Sequence, residues 1–159
     1  MAIFPGRYAA RLDRPMVLFL IGSRINRFTA IGKWLPVMRA MPRMIAELYA
    51  RPESGFLHVE SYIGLRRTFL IQYWRAFDDL LAYARDKDGS HFPAWAAFNK
   101  AVYAANSDAV GIWHETYVVE PGKVECVYGN MPAFGLAKAT AHVLAEGRLA
   151  SAADRMRGA

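Results

Sequence analysis

The stretch Met16-Val17-Leu18-Phe19-Leu20-Ile21-Gly22-Ser23-Arg24-Ile25 follows Pro15 and is rich in apolar and β-branched residues. This composition predicts a buried strand. The apolar run is too short to cross a bilayer. Charged residues follow it without a small-residue cleavage site, so it does not match a signal peptide. The stretch therefore opens a folded domain, and we expect a cytoplasmic protein.

Downstream of this strand, Thr29 is a plausible N-cap for a helix over about 30–51. Pro36 and Pro42 are expected to kink that helix or divide it. The remaining pattern predicts strands at 56–65, 68–75 and 110–120, helices at 76–85 and 91–105, and a short hairpin strand at 124–128. Three segments result, namely an irregular N-terminal arm (1–14), a main domain (15–135) and a helical C-terminal tail (136–159).

The order strand, helix, strand, strand, helices, strand is that of the split βαβ unit. It predicts an α+β fold, with a ferredoxin-like antiparallel sheet that carries helices on one face. The other face also needs a cover, and a second copy of the chain is the usual one. We therefore expect a homodimer in the form of a dimeric α+β barrel, with a ligand pocket between the sheet and the helices.

The basic residues are concentrated in the first half of the chain. Residues 1–75 hold 12 Lys/Arg against 4 Asp/Glu, and eleven of the twelve are Arg. Such a surface suits an acidic ligand, an anionic membrane or nucleic acid, or is an ordinary solvated face. Base-stacking patterns are missing, so no nucleic-acid partner is expected. The single cysteine, Cys126, excludes an internal disulfide.

No phosphate-binding loop, dinucleotide fingerprint, zinc-protease motif or nucleophile elbow occurs in the sequence. Histidine is therefore the residue type to consider for chemistry. His91 opens a predicted helix that also carries Trp95 and Phe98, so it could stand at the mouth of an aromatic pocket. It could equally be an exposed residue next to the N-cap Ser90.

His114 lies in the strand Val110-Gly111-Ile112-Trp113-His114-Glu115-Thr116-Tyr117. Alternation places His114 as the polar member of an apolar row, with Glu115 on the opposite face. A buried histidine needs a ligand or a hydrogen-bond partner such as a backbone carbonyl. Arg24, at the end of another apolar row, could meet an anionic ligand group or simply reach water.

Several stretches together carry a family resemblance. They are Phe19-Leu20-Ile21-Gly22-Ser23-Arg24-Ile25-Asn26, Lys33-Trp34-Leu35-Pro36, Gln72-Tyr73-Trp74-Arg75-Ala76-Phe77-Asp78-Asp79-Leu80, His91-Phe92-Pro93-Ala94-Trp95 and the His114 strand. Over residues 15–135 they resemble a monooxygenase-like family that has a member in the fumagillin biosynthetic cluster. The last three stretches also resemble the C-terminal part of haem-containing aldoxime dehydratases.

The dehydratase resemblance implies haem b as cofactor, with His91 as the proximal iron ligand and His114 as the distal acid–base residue. Ser23 and Arg24 are the candidates for that family's distal serine and arginine. Trp74, Trp95 and Phe98 would line the cofactor. A neutral imidazole is a good axial ligand, and the arginines could receive the propionates.

Three hypotheses follow, in order of preference. The first is a haem enzyme with monooxygenase-like or dehydratase-like chemistry on a small organic substrate. The second is a cofactor-independent oxygenase of the antibiotic-biosynthesis type, in which His114 is the general base and Trp74, Trp95 and Trp113 line the pocket. The third is a non-enzymatic dimeric module that binds an acidic small molecule, or a membrane surface through the basic helix.

Overall fold

The computed structural model describes residues 2–89, 91–103 and 106–157. The strands are β1 (Phe4–Arg11), β2 (Met16–Ile25), β3 (Phe56–Ile63), β4 (Arg67–Trp74), β5 (Val110–Val119), β6 (Tyr128–Met131) and β7 (Ala141–Leu144). The α-helices are α1 (Ile31–Ala50), α2 (Phe77–Arg85), α3 (His91–Phe98), α4 (Leu136–Ala139) and α5 (Ala152–Arg155). A wider π-helical turn, Asn99–Tyr103, continues α3.

The main sheet is four-stranded and antiparallel, in the order β3-β4-β2-β5. Strands β2 and β4 are central because both of their faces are apolar. Helix α1 connects β2 to β3, and α2 and α3 connect β4 to β5. This is the ferredoxin-like arrangement, and the predicted α+β fold class is confirmed. The hairpin between β3 and β4 also forms, with the Gly64 N–H donating to the Arg67 carbonyl at 2.8 Å.

The main core lies between this sheet and the helices. Trp74 and Leu48 are its most completely buried large side chains. The rest of this core consists of Val17, Phe56, Val59, Leu70, Leu80 and Tyr83. Alternation along the strands places Val17, Phe19, Ile21 and Ser23 of β2 on this helix-facing side, and the intervening residues on the other side.

Helix α1 continues through both Pro36 and Pro42, so of the two predicted alternatives, a kink or a division, the division does not occur. Each interior proline removes a hydrogen bond at a cost of about 3 kcal/mol. Met41, Ile45 and Leu48 pack against the main core and stabilise the helix in compensation. The N-cap is Ala30 and makes no side-chain cap hydrogen bond, so the prediction of Thr29 was wrong.

The largest correction concerns the two ends of the chain. Residues 4–11, predicted to be an irregular arm, form β1, the middle strand of a second sheet with the order β6-β1-β7. The predicted hairpin strand at 124–128 is replaced by β6, which pairs with β1 and not with β5. The tail is only partly helical, because β7 lies between α4 and α5. Sequence periodicity misses β1 because both of its partners lie more than a hundred residues away.

This second sheet and the segment between β5 and β6 cover part of the outer face of the main sheet, which is the face opposite the helices. Met16 and Tyr73 of the main sheet pack there against Leu136, surrounded by Leu18, Ile71, Val119, Val124 and Cys126. The chain thus supplies part of the cover that was expected from a second copy. Among the described helices, none is long and apolar enough to cross a membrane.

Candidate functional site

The helix-facing side of β5, which carries His114, is largely exposed to solvent. Its alternate residues Ile112, His114, Thr116 and Val118 are all exposed, whereas Val110 at the start of the strand is buried. The reason is that Phe98 and Val102 form a cluster with Val110 at the start of the strand, and Trp34 and Val37 of α1 pack against this cluster. Because β5 is an edge strand, the rest of this face has no helix above it.

His114 is therefore exposed, and the prediction that it is a buried polar residue was wrong in the isolated chain. It pairs in register with Ile21. Its ring lies 5.5 Å from the Phe19 ring, between centroids. The imidazole makes no hydrogen bond to the described residues, so both ring nitrogens are available to a ligand. Glu115 is on the outer face, as predicted, where it accepts a hydrogen bond from the Tyr117 hydroxyl at 2.5 Å.

Ser23 and Arg24 are on opposite faces of β2 and cannot both join His114. Ser23 shares the helix-facing side with His114, one register step away, since it pairs with Ile112. It is buried, and its Oγ is 2.6 Å from Thr68 Oγ1, in a hydrogen bond between neighbouring strands. Arg24 is on the outer face and donates to Asn26 Oδ1 at 2.9 Å. The predicted Ser23–Arg24–His114 group is thus reduced to Ser23 and His114.

His91 is held at the start of α3 by the end of α2. Its Nδ1 is 3.2 Å from the Ala84 carbonyl oxygen. A carbonyl can only accept, so Nδ1 carries the proton and Nε2 of the neutral ring keeps its lone pair. Burial lowers the pKa of His91, which favours this neutral form, against smaller opposing effects of the Ala84 hydrogen bond and Glu47. The suggested N-cap, Ser90, lies outside the described residues.

The three aromatic residues predicted to line a cofactor have different environments. Trp74 has 0% exposed surface, and its indole N–H donates to Gln72 Oε1 at 2.9 Å. It therefore belongs to the core and has no surface for a cofactor. Phe98 is also buried, against Val110. Trp95 is 55% exposed and remains available for ligand contact.

The other two histidines pack within the fold, His58 through hydrogen bonds and His142 through ring contacts, although the buried His142 Nε2 has no hydrogen-bond partner among the described residues. His58 is buried between one carboxylate and one phenol: its Nε2 lies 2.9 Å from Glu60 Oε1, and its Nδ1 lies 2.9 Å from the Tyr49 hydroxyl. His142 stacks on Tyr8 in the second sheet, with ring centroids 4.4 Å apart. The described part of the chain brings no three His, Cys, Asp or Glu side chains together as a metal site.

Two cavities, of about 290 and 300 Å³, lie on the outer side of the main sheet and not between the sheet and the helices. The sequence did not indicate either one. The first lies between the two sheets, so it depends on the long-range pairing of β1. Strand alternation places Tyr73 on the opposite face of the sheet from Trp74. This alternation is the one feature of the sequence that could have indicated that Tyr73 faces the cavity.

The layered architecture and the open histidine-bearing strand define a ferredoxin-like α+β protein with one uncovered helix-side edge. The chain belongs to the monooxygenase af470-like family, whose family model matches residues 16–136. This confirms the resemblance seen in the sequence. A comparison with curated proteins gave no sequence match.

Solved structures with a similar fold include the following three proteins. An aldoxime dehydratase is 11% identical, with a TM-score of 0.51, over 87% of this chain and 44% of that one. SnoaB, a cofactor-independent oxygenase from Streptomyces nogalater, is 13% identical, with a TM-score of 0.46, over 68% of this chain and 95% of that one. A dimeric ferredoxin-like protein of unknown function from Bacteroides fragilis is 17% identical, with a TM-score of 0.43, over 64% of this chain and 96% of that one. At these identities the likeness concerns the fold alone.

Proposed function

We propose that this chain is an oxidative enzyme that acts on a small organic substrate at the uncovered, helix-facing side of β5. The observation that carries the proposal is the state of His114. Its imidazole is exposed beside Phe19 and has no hydrogen-bond partner among the described residues. An unoccupied imidazole on an apolar strand face can accept a proton from a substrate hydroxyl or return one. Membership of the monooxygenase af470-like family supports the oxidative class.

Haem is the cofactor we favour, with His91 as its protein ligand. The chemistry of the residue fits, because Nδ1 is fixed on Ala84 and leaves the Nε2 lone pair free for iron. Haem also needs only one protein ligand, whereas the described residues offer no multidentate metal site. When bound, haem would supply redox or Lewis-acid chemistry at iron. The protein's own contributions would be His91 as ligand, Trp95 as an accessible ring and His114 as the proton carrier.

A cofactor-independent oxygenase is the second candidate, because the burial of Phe98 weakens the haem assignment alone, whereas the burial of Trp74 removes a predicted contact under both candidates. Trp113, predicted to line the cofactor-independent pocket, is on the outer face and not beside His114. Under this second candidate His114 would remove a proton from an electron-rich phenol or enol, and the resulting anion would react directly with dioxygen. The role of His114 is the same under both candidates, whereas that of His91 differs.

The deciding experiment is a titration of the purified protein with one equivalent of hemin, followed by visible absorption. We compare the wild type with His91→Ala and, as a matched control, with His142→Ala in the second sheet. A sharp Soret band that His91→Ala abolishes or shifts, and that His142→Ala retains, supports haem ligation by His91. Loosely bound hemin with the same spectrum in all three proteins overturns the haem assignment.

A homodimer completes the proposed function. The outer face near Gly22 carries an aromatic cluster that the second sheet does not reach, in which Phe69 stacks on Trp113 and on Tyr62. Trp113 and Tyr62 are 42% and 47% exposed. An exposed aromatic cluster of this kind marks a protein contact, and a second copy of the chain is the occupant we propose. Light scattering of the wild type and Trp113→Glu tests it: a dimer that the substitution dissociates supports the proposal, and a monomeric wild type contradicts it.

A further inference from the structure

We propose that the cavity between the two sheets is a second binding site, for a small, neutral, mainly apolar molecule that carries a hydrogen-bond acceptor such as a ketone. The site lies on the outer side of the main sheet, whereas His114 and Ser23 face the helices. Alternation along β4 separates the two sites, because Tyr73 faces the cavity and the adjacent Trp74 faces the main core. The inference is therefore independent of the proposed oxidative site.

The shape and lining of the cavity suit a small apolar molecule. Its volume is about 290 Å³, at the small end of the range for ligand pockets. Apolar side chains from β2, from β5, from the segment between β5 and α4, and from the first residue of α4 form most of the wall: Met16, Leu18, Val119, Val124, Phe134 and Leu136. Three polar side chains, Tyr73, Cys126 and Tyr128, complete the lining. This mixture of an apolar wall with a few polar groups is typical of a ligand site and not of a packing gap.

Two of the three polar groups are already engaged. The Tyr128 hydroxyl accepts a hydrogen bond from the Ala137 N–H at 3.2 Å. The Cys126 sulfur accepts one from the Ala10 N–H at 3.3 Å. The Tyr73 hydroxyl, by contrast, has no hydrogen-bond partner among the described residues. A phenol left without a partner inside a largely apolar cavity is costly unless a ligand or water accepts a hydrogen bond from it.

The environment of Tyr73 sets the kind of group that it can bind. Burial raises the pKa of Tyr73 to about 12, and the negative charge of Glu60 adds to the effect. The hydroxyl therefore stays protonated at neutral pH and acts as a donor. The same Glu60 is fixed nearby, because its Oε1 accepts from the Gly135 N–H at 2.9 Å and lies 2.9 Å from His58 Nε2. A fixed carboxylate next to the donor disfavours anionic ligands, so the acceptor is a neutral one.

Gly135 explains why the hydroxyl is not covered by the chain itself. It lines the cavity with φ +54°, and a Cβ atom there would lie 2.9 Å from the Tyr73 oxygen. Only a residue without a side chain leaves this space open. The loop that closes the cavity is thus built so that the phenol faces the cavity and not a side chain.

Acetophenone is the probe that we would use, since it joins an apolar ring to a neutral ketone. Ethylbenzene is its control, with the same outline and no acceptor. Binding is followed in the full chain by NMR of the methionine methyl groups, with the Met16 signal assigned from Met16→Leu. We expect saturable shifts of that signal with both probes. Tyr73→Phe should weaken acetophenone binding by about 2- to 10-fold and leave ethylbenzene unchanged, because one hydrogen bond is removed.

Tyr117→Phe is the matched control, because Tyr117 is on the same outer face of the main sheet, is 48% exposed and does not line the cavity. It should change the affinity of neither probe. Val124→Phe fills the cavity and should abolish binding of both probes, with circular dichroism to verify its fold. If neither probe shifts the Met16 signal of the wild type, the proposed site is wrong. Equal acetophenone affinities in the wild type and Tyr73→Phe would overturn the role of the phenol.

Discussion

Gly135 lies so close to Tyr73 that a methyl group on the glycine would come within 2.9 Å of the phenol oxygen. The contact joins the loop before α4 to the C-terminal end of β4. The backbone of Gly135 has φ +54° and ψ −123°, which L residues rarely adopt. Steric contact and backbone strain thus both require glycine here, and a double-mutant cycle can separate them.

We expect Gly135→Ala to lower the free energy of unfolding by about 1–3 kcal/mol, from strain and the new contact together. In the Tyr73→Phe background the same substitution should cost less, because the oxygen at 2.9 Å is gone and the nearest remaining ring atom is at 3.8 Å. Urea unfolding of the four proteins measures the difference. An equal cost in both backgrounds would show that backbone strain acts alone.

Trp74 and Trp95 should respond oppositely to truncation. Trp74→Ala removes a wholly buried ring and leaves Gln72 without its hydrogen bond, so we expect a loss of about 3–5 kcal/mol. Trp95→Ala should change stability by about 0.5 kcal/mol or less, since the ring is 55% exposed. Chemical denaturation gives both values. If haem binds, Trp95→Ala should weaken hemin binding without this loss of stability.

His58 and His114 form a second contrasting pair, each on a strand at a sheet edge. His58→Gln breaks the link between Tyr49 and Glu60 in a buried position, and we expect a loss of about 2–3 kcal/mol. His114→Gln should leave stability within about 0.5 kcal/mol of the wild type, while abolishing most of any oxidative activity. A large loss of stability in His114→Gln would indicate a structural role for that residue.

The ion pair between Arg51 and Asp86 gives a pH prediction. The Arg51 guanidinium, 2.8 Å from Asp86, holds the pKa of that carboxyl below its ordinary value of 3.8. A carboxyl with a lowered pKa in the folded state stabilises the protein above the unfolded pKa, and this contribution is lost as the pH falls through the folded value. Arg51→Gln should therefore be less stable than the wild type at pH 7, and the difference should vanish in acid.

The control for this prediction is Arg39→Gln, because Arg39 is exposed on α1, the helix whose C-cap is Arg51. Urea unfolding between pH 7 and pH 3 follows all three proteins. NMR titration should show the pKa of Asp86 rising toward 3.8 in Arg51→Gln only. A stability difference that is constant over this pH range would mean that Arg51 stabilises α1 by packing and not by charge.

The sequence by itself determined the main sheet, because local periodicity encodes it. The alternation in β2 and β5 and the helical spacing in α1 to α3 depend on nearby residues, so element types and the face of each side chain could be predicted. The assignment of His114 and Glu115 to opposite faces follows from the same alternation. The family motifs also lie within these local segments.

Only the tertiary structure decided which of those side chains are covered. His114 is open because α3 ends over Val110, and Trp74 is closed because α2 lies over it with Tyr83. Strand β1 and the cavity beside Tyr73 exist only because residues 4–11 pair with strands near the other end of the chain. Burial and long-range pairing depend on the sum of many distant contacts, and no short sequence window contains them.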